Sequence, residues 1–213
     1  MKPTQETYSA LQTAYEHFNQ ELFDEALPEC LITLQRKEKR VHGYFWSQRF
    51  EEIGSGQRTD EIAMNPQHFK SREMIEVLST LAHEMAHQWQ AHCGTPSRKA
   101  YHNHEWGDKM ESIGLMPSNT GEPGGKRTGQ QMTHYIIQGG LFERVCASLL
   151  SDGFRLAWGE ITADITVDPG TKGGGKGKTT RVKFTCPGCQ ANAWGKPTLK
   201  LICGDCFVRM IAE

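Results

Sequence analysis

Leu81-Ala-His-Glu-Met-Ala-His-Gln-Trp89 lies near the middle of this 213-residue chain and contains the motif His83-Glu84-x-x-His87. In a helix of 3.6 residues per turn, His83 and His87 are neighbours on one face and can reach one ion together. Glu84 places a carboxylate beside them, and the two imidazoles amount to half of a zinc site. The motif supplies two ligands of such a site, so the chain must provide a third.

Apolar residues around the motif recur at three- and four-residue intervals, which predicts a buried helix with both histidines beside its most apolar stripe. These residues are Met74, Ile75, Val77, Leu78, Leu81, Ala82, Met85, Ala86 and Trp89. Ser71 is the predicted N-cap of this helix, and Gly94 is the predicted stop.

The third ligand can come from Tyr101-His-Asn-His-Glu-Trp106, where His102, His104 and Glu105 are all able to bind zinc. A catalytic zinc takes three protein ligands and keeps one position open. The apolar residues after this segment predict a second helix that begins near His102 or His104. The spacing alone leaves the three candidates open.

Together, His83-Glu84-x-x-His87 and His102-Asn103-His104-Glu105-Trp106 resemble the SprT-like metalloproteases, which include the Spartan proteases that digest proteins crosslinked to DNA. The resemblance implies that His102 is the third zinc ligand and that Glu105 is structural or supports the ligands. Asn103 departs from the family pattern, since many members have glycine there. His104 is also additional to that pattern.

The N-terminal part of the chain predicts a small α+β domain with a mainly antiparallel sheet packed against helices. Residues 31–34, 41–46 and 61–65 have the composition of strands. An amphipathic helix precedes them, with its apolar side chains at Tyr8, Leu11, Tyr15, Phe18 and Leu22. Zincin-like proteases bind an extended peptide along an edge strand, and Ile62–Asn65 is the predicted edge.

The predicted organisation is a zincin-like protease domain over residues 1–167, a basic Gly-rich linker over 168–182 and a zinc ribbon over 183–213. Residues 118–131, rich in Gly, Pro, Ser and Thr, are predicted to be a flexible loop, either a lid or a disordered excursion. Downstream, residues 154–158 predict a closing strand. His134 and Tyr135 are candidate transition-state donors, but the pattern favours a solvent-exposed loop for His134.

The ribbon is predicted from two cysteine pairs with thirteen residues between them, a spacing that closes a four-cysteine zinc site with a structural role. The four residues are Cys186, Cys189, Cys203 and Cys206. Leu199–Ile202 is predicted to be a strand between the pairs. Cys30, Cys93 and Cys146 stand alone and are interpreted as small buried hydrophobes, so no disulfide framework is expected.

Charge is distributed unevenly along the chain. From Thr171 onward there are eight Lys or Arg against two acidic residues, whereas the preceding part has 16 basic and 23 acidic residues. A basic tail of this kind can bind nucleic acid or can serve as a solvated linker. The candidate nucleic-acid contacts are Lys172, Lys176, Lys178, Arg181, Lys183, Lys196, Lys200 and Trp194, the last either stacking on a base or filling the ribbon core.

The predicted function is that of a zinc-dependent metalloendopeptidase that hydrolyses peptide bonds through a zinc-activated water, with Glu84 as the general base. The resemblance implies protein substrates attached to DNA, single-stranded DNA as a partner, and two zinc ions per chain. Without an apolar leader or membrane span, the chain is expected to be a cytoplasmic or nucleoid-associated monomer. A nucleic-acid-binding zinc-ribbon protein with little protease activity and a hydrolase of non-peptide substrates are the alternatives.

Overall fold

The computed structural model describes residues 2–36, 41–98, 101–161 and 182–212. The chain divides into two compact units, Met1–Thr162 and Ala163–Glu213. Most of the predicted linker, including Lys172, Lys176, Lys178 and Arg181, lies outside the described residues. Val182, which the prediction assigned to the linker, is the first residue of a strand.

The first unit combines α-helices with short strands, as predicted from the sequence. Its helices are α1 (Pro3–Phe23), α2 (Met74–Cys93), α3 (His104–Ser112) and α4 (Leu141–Ser151), with a 3-10 helix at Pro66–His68. Its strands are β1 (Cys30–Leu34), β2 (Gly43–Glu51), β3 (Arg58–Met64), β4 (Leu115–Ser118) and β5 (Thr133–Ile136).

Strands β1, β3 and β2 form a sheet in that order, with β1 parallel and β2 antiparallel to β3. The prediction that Ile62–Asn65 is an edge was therefore wrong, because β3 lies at the centre of this sheet. Residues 60–64 of β3 are all buried, as in a strand covered on both faces. Strand β2 lies next to β3 at the edge of the sheet, and all of its residues are exposed or half-buried.

Helix α2 packs in the centre of the first unit, where Leu81, Ala82, Met85 and Ala86 have no exposed surface. The helix ends before Gly94 as predicted, but it begins at Met74 with Glu73 at the N-cap rather than at Ser71. Ser71 lies in the turn that follows the 3-10 helix, so its hydroxyl caps no helix there. Helix α1 buries its predicted apolar face apart from Tyr8, which is 41% exposed.

A buried carboxylate joins α2 to the sheet. Asp60 of β3 is 2% exposed, and its Oδ2 lies 2.6 Å from His92 Nε2 and 3.2 Å from Gln88 Nε2, both on α2. Its Oδ1 accepts a hydrogen bond of 2.8 Å from the backbone N–H of Gln48, in the irregular part of β2. Because a buried carboxylate without such partners would be costly, Asp60 fixes the positions of β2 and α2 relative to each other.

Strands β4 and β5 form an antiparallel hairpin, and the predicted loop is its connection. Within it, the backbone N–H of Asn119 donates to the carbonyl of Lys126 at 3.0 Å. The predicted closing strand over residues 154–158 was wrong, since the structure has no strand there. The alternating side chains of Phe154 and Leu156 pack on the hydrophobic core instead, which explains their strand-like pattern.

The second unit contains β6 (Val182–Thr185), β7 (Asn192–Gly195) and β8 (Ile211–Ala212), with β6 between the other two. Phe184, Cys186, Cys203 and Met210 form its small core. The predicted strand Leu199–Ile202 was wrong, because only Ile202 forms a single β-bridge, with Arg209. Ile202 is 69% exposed and so does not belong to the core.

The lone cysteines differ in burial. Cys146 is buried in α4 and Cys30 is half-buried, whereas Cys93 is exposed at the end of α2. The interpretation as buried hydrophobes was therefore wrong for Cys93, which follows the apolar part of the helix. Among the residues that the structure describes, no helix has both the length and the apolar character required to cross a bilayer.

Candidate metal centre

Three histidines from two separated segments meet beside α2. Helix α2 presents His83 and His87, and His102 precedes the first turn of α3. One ring nitrogen from each lies within 4.8 Å of the others, and Nε2 of His87 is 3.1 Å from Nε2 of His102. The structure therefore brings together the two histidines of the motif and the third residue that the family resemblance implied as a ligand.

An aromatic side chain lies against all three imidazoles. Trp106, in the first turn of α3, is fully buried. Its ring centroid is 4.9 Å from that of His83, 5.1 Å from His87 and 4.4 Å from His102. Trp106 thus limits the rotation of the three rings, a role that the sequence pattern did not reveal beyond predicting a second helix.

The other two candidate ligands have different positions. His104 is exposed at the start of α3. Glu105 turns toward the end of α2, where its Oε2 accepts hydrogen bonds of 2.7 Å from Gln90 Nε2 and from the Thr95 backbone N–H. Asn103 caps α3 by accepting a 3.1 Å bond from the Trp106 N–H. Glu105 and Asn103 therefore stabilise the turn that presents His102.

The backbone of the β4–β5 connection orients His102. Residues His102 and Gly129 exchange two backbone hydrogen bonds, of 2.8 and 3.1 Å. In addition, Nδ1 of His102 lies 3.2 Å from the Gly129 carbonyl oxygen, which can only accept. Nδ1 must therefore carry the hydrogen, and Nε2 keeps its lone pair for a metal ion.

Burial keeps the three imidazoles neutral. Desolvation lowers the pKa of His83 well below its ordinary value, and the neighbouring His87, His134 and His102 lower it further. Desolvation and the adjacent His102 lower the pKa of His87 to about 3, and burial also lowers the pKa of His102. Neutral imidazole is the form that binds a metal ion.

Glu84 directly follows His83 on α2 and is only 6% exposed. Burial raises the pKa of its carboxyl to about 8, while a hydrogen bond from the Phe45 backbone N–H acts in the opposite direction. Carboxyls with a raised pKa in such sites are suited to exchanging protons near neutral pH. The bond to Phe45 also shows that β2 approaches α2 beside Glu84.

Gly43 permits this close approach of β2. A Cβ atom at Gly43 would lie 2.9 Å from the Ala63 carbonyl oxygen, 3.1 Å from Thr80 Cγ2 and 3.3 Å from Glu84 Cγ. We therefore expect Gly43→Ala to displace β2 and to lower the free energy of unfolding by about 1–3 kcal/mol. Chemical denaturation measures this change. The control is Gly54→Ala: a Cβ atom at Gly54 would contact no other residue, so any destabilisation there comes from the positive φ of Gly54. An unchanged stability of Gly43→Ala would contradict this packing.

The interpretation of His134 as a solvent-exposed loop residue was wrong. His134 lies in β5 and is half-buried, with its Nδ1 3.1 Å from Nδ1 of His83 and its Nε2 2.8 Å from the Ser79 hydroxyl. No local sequence pattern predicts this contact, because 51 residues separate the two histidines. Both Ser79 and His134 thus join the candidate metal centre from outside the motif.

The four ribbon cysteines form a second group with the donor atoms of a metal site. Their sulfur atoms all lie within 4.8 Å of one another, and Sγ of Cys189 is 3.5 Å from Sγ of Cys203. Each pair is followed by a residue with positive φ, Gln190 at 61° and Phe207 at 54°. Both donor groups, three imidazoles and four thiols, fit zinc in chemistry and number.

The described members of the candidate nucleic-acid set lie on the ribbon. Lys183 and Trp194 are cross-strand neighbours on β6 and β7, so their side chains leave the same face of the sheet. Lys196 and Lys200 are exposed. Trp194 is 64% exposed, which excludes its alternative interpretation as part of the ribbon core.

The three-histidine group on α2 and before α3 is a possible metal site of the kind found in metalloprotease-type families. The SprT-like family matches residues 11–130, more than half of the sequence, and the chain belongs to that family. A protein of Salmonella typhimurium, described as an uncharacterized protein in the mucB 3' region, is 57% identical over 60 residues. The match covers 28% of this chain and 80% of that protein. No solved structure matches the chain.

Proposed function

We propose that this chain is a zinc-dependent metalloendopeptidase whose catalytic zinc is held by His83, His87 and His102. The observation that carries the proposal is the convergence of these three neutral imidazoles, together with the buried carboxyl of Glu84, which directly follows His83 on α2. A purely structural metal site has no need of a carboxyl beside its ligands. Three protein ligands also leave one position of a tetrahedral site for the reaction.

Zinc bound there would supply Lewis acidity toward water and toward the substrate carbonyl. Glu84 then acts as the general base: its carboxylate takes a proton from the attacking water and later delivers it to the leaving amine. The Phe45 N–H holds this carboxylate in place between the two transfers. Trp106 excludes water from the inner side of the imidazoles because it is fully buried against them.

Strand β2 is the proposed peptide-binding edge. It pairs with β3 on one side, and its Phe45 N–H points away from β3 toward Glu84. An extended peptide added along this edge would form main-chain hydrogen bonds with little sequence preference. Because the Phe45 N–H is bonded to Glu84, the peptide would pair with other backbone groups on the same side of β2, and a strand that pairs in this way favours a peptide substrate over the non-peptide alternative.

We further propose that the substrates are proteins bound or crosslinked to DNA, and that the ribbon binds single-stranded DNA. Support comes from the family membership, from the exposed Trp194 with Lys183 as its cross-strand neighbour, and from the exposed Lys196 and Lys200 on the same unit. Aromatic side chains stack on unpaired bases, and lysines contact the phosphates. A cytoplasmic or nucleoid-associated location accords with such substrates.

Loss of the exposed indole is expected to weaken DNA binding. We expect Trp194→Ala to reduce the affinity for single-stranded DNA by about 1–3 kcal/mol, the typical contribution of one stacked base. Fluorescence anisotropy at fixed salt measures this change. Trp158→Ala is the matched control, because Trp158 is 51% exposed but belongs to the first unit. Equal affinities of Trp194→Ala and wild type would remove the indole from the binding surface.

Cleavage of a protein crosslinked to single-stranded DNA, compared with the same protein free, tests the proposed substrate class. We expect faster cleavage of the crosslinked form, and stimulation of casein cleavage by added single-stranded DNA. Tight DNA binding without cleavage of either substrate would instead support the nucleic-acid-binding alternative. Equal cleavage of both substrates would show that the chain is a peptidase but would contradict the proposed preference for DNA-linked proteins.

A further inference from the structure

A hydrogen-bonded chain of side chains runs from α2 through β5 and back to the candidate metal ligand His83. Ser79 Oγ donates to the Glu76 carbonyl oxygen at 2.9 Å, and His134 Nε2 lies 2.8 Å from Ser79 Oγ. His134 Nδ1 then lies 3.1 Å from His83 Nδ1. Ser79 precedes His83 by one helical turn, so His134 spans two side chains on the same face of α2.

We propose that Ser79 and His134 are positioning residues that fix the tautomer and orientation of His83, leaving its Nε2 free to bind the metal ion. This inference rests on the proposed function, because it assigns an orienting role around the metal ligands proposed there. It adds two residues that lie outside the His83-Glu84-x-x-His87 motif. Neither contacts substrate in this account.

The Glu76 carbonyl oxygen, at one end of this series of hydrogen bonds, determines which atom donates in each of them. A carbonyl oxygen has no hydrogen to donate, so the Ser79 hydroxyl must be the donor toward Glu76. The Ser79 oxygen then accepts from His134, which places the hydrogen of the neutral imidazole on Nε2. Nδ1 of His134 is therefore the acceptor, and Nδ1 of His83 is the donor.

As a consequence, Nε2 of His83 carries no hydrogen. A neutral imidazole carries one ring hydrogen, and the contact with His134 holds it on Nδ1. The opposite order would place a hydrogen on Nε2 of His83 and would leave the Ser79 hydroxyl without its bond to Glu76. Ser79 is 2% exposed, so such a lost bond would not be replaced by water.

The β4–β5 hairpin thereby supports two of the three proposed ligands. Its strand β5 carries His134, which faces His83, and its connection carries Gly129, whose carbonyl oxygen accepts from Nδ1 of His102. Both contacts place the ring hydrogen on Nδ1 and free Nε2. Partners of this kind, which orient metal ligands through their second nitrogen, typically contribute about 10- to 100-fold in metal affinity.

The test compares leucine and asparagine at position 134 in the 213-residue chain. Leucine is similar in size but cannot accept a hydrogen bond, whereas the asparagine Oδ1 can accept from His83 Nδ1–H. We expect His134→Leu to lower zinc affinity at the three-histidine site by about 10- to 100-fold, and His134→Asn to recover most of that loss. Ser79→Ala, a smaller change, should also lower it.

Chelator competition measures the affinity, and the visible spectrum of the Co²⁺-substituted protein reports the ligand geometry. Thiolate charge-transfer bands arise only at the ribbon cysteines, so the two sites are distinguishable. His104→Leu, the same substitution at an exposed histidine, is the matched control and should resemble wild type. The spectrum of His134→Leu should shift, whereas that of His134→Asn should not.

Two results would overturn the inference. One is a zinc affinity and Co²⁺ spectrum of His134→Leu and Ser79→Ala equal to those of wild type. The other is an equal loss in His134→Leu and His134→Asn with Ser79→Ala unchanged, which would indicate packing rather than hydrogen bonding. Absence of zinc from the three histidines of the wild-type protein would be a failure of the proposed function instead, and the two failures are thus separate.

Discussion

Replacement of Glu84 by glutamine is expected to lower the rate of casein hydrolysis by about 10²- to 10⁴-fold, the usual contribution of a general acid–base residue. Glutamine has nearly the same shape but cannot take a proton from water. Its side-chain oxygen can still accept the Phe45 N–H, so the contact between β2 and α2 is preserved. Steady-state kinetics together with metal analysis should show lost turnover and unchanged zinc content.

The matched control for this variant is Glu73→Gln, which makes the same substitution at the exposed N-cap of α2. Glu73 makes no side-chain capping bond, so its replacement should leave both kinetics and zinc content unchanged. Hydrolysis by Glu84→Gln at the wild-type rate would show that another group carries the proton. Glu84 would then not be the general base.

Replacement of His102 by alanine is expected to remove zinc from the three-histidine centre. The ring is 8% exposed and is held by Gly129 and Trp106, so no other side chain can readily take its place. Loss of a direct ligand should lower zinc affinity by more than the roughly 100-fold upper range for loss of an outer partner. Elemental analysis after gel filtration should therefore fall from two zinc ions per chain to one, since the four-cysteine group is intact.

His104→Ala distinguishes a ligand from a neighbouring histidine two residues away. His104 is exposed and does not belong to the group formed by His83, His87 and His102. We expect this variant to retain both zinc ions and wild-type activity. Loss of zinc from His104→Ala with retention in His102→Ala would reverse the assignment of the third ligand.

The residues of local motifs were predictable from the sequence because their geometry depends on short spacings. His83 and His87 are one helical turn apart, and the start of α3 near His104 follows from the apolar residues after it, whereas the Asn103 cap was not predicted. The selection of His102 came from the resemblance to the SprT-like family rather than from spacing. The structure places His102 with the two helix histidines, and its role as a ligand stays a prediction.

The features that the sequence did not predict depend on contacts between distant segments. The position of β3 at the centre of its sheet is set by the parallel pairing with β1, and strand composition does not encode that order. The contact between His134 and His83 depends on the hairpin returning to α2. Similarly, Leu199–Ile202 has strand composition but no partner along its length, apart from the bridge at Ile202.

Anomalous diffraction at the zinc edge, from crystals of the 213-residue chain, tests whether the three histidines bind zinc. We expect one zinc peak bound by nitrogen atoms of His83, His87 and His102, and a second among the four cysteines. A zinc ion held only by the cysteines, or one bound by His104 instead of His102, would contradict this expectation.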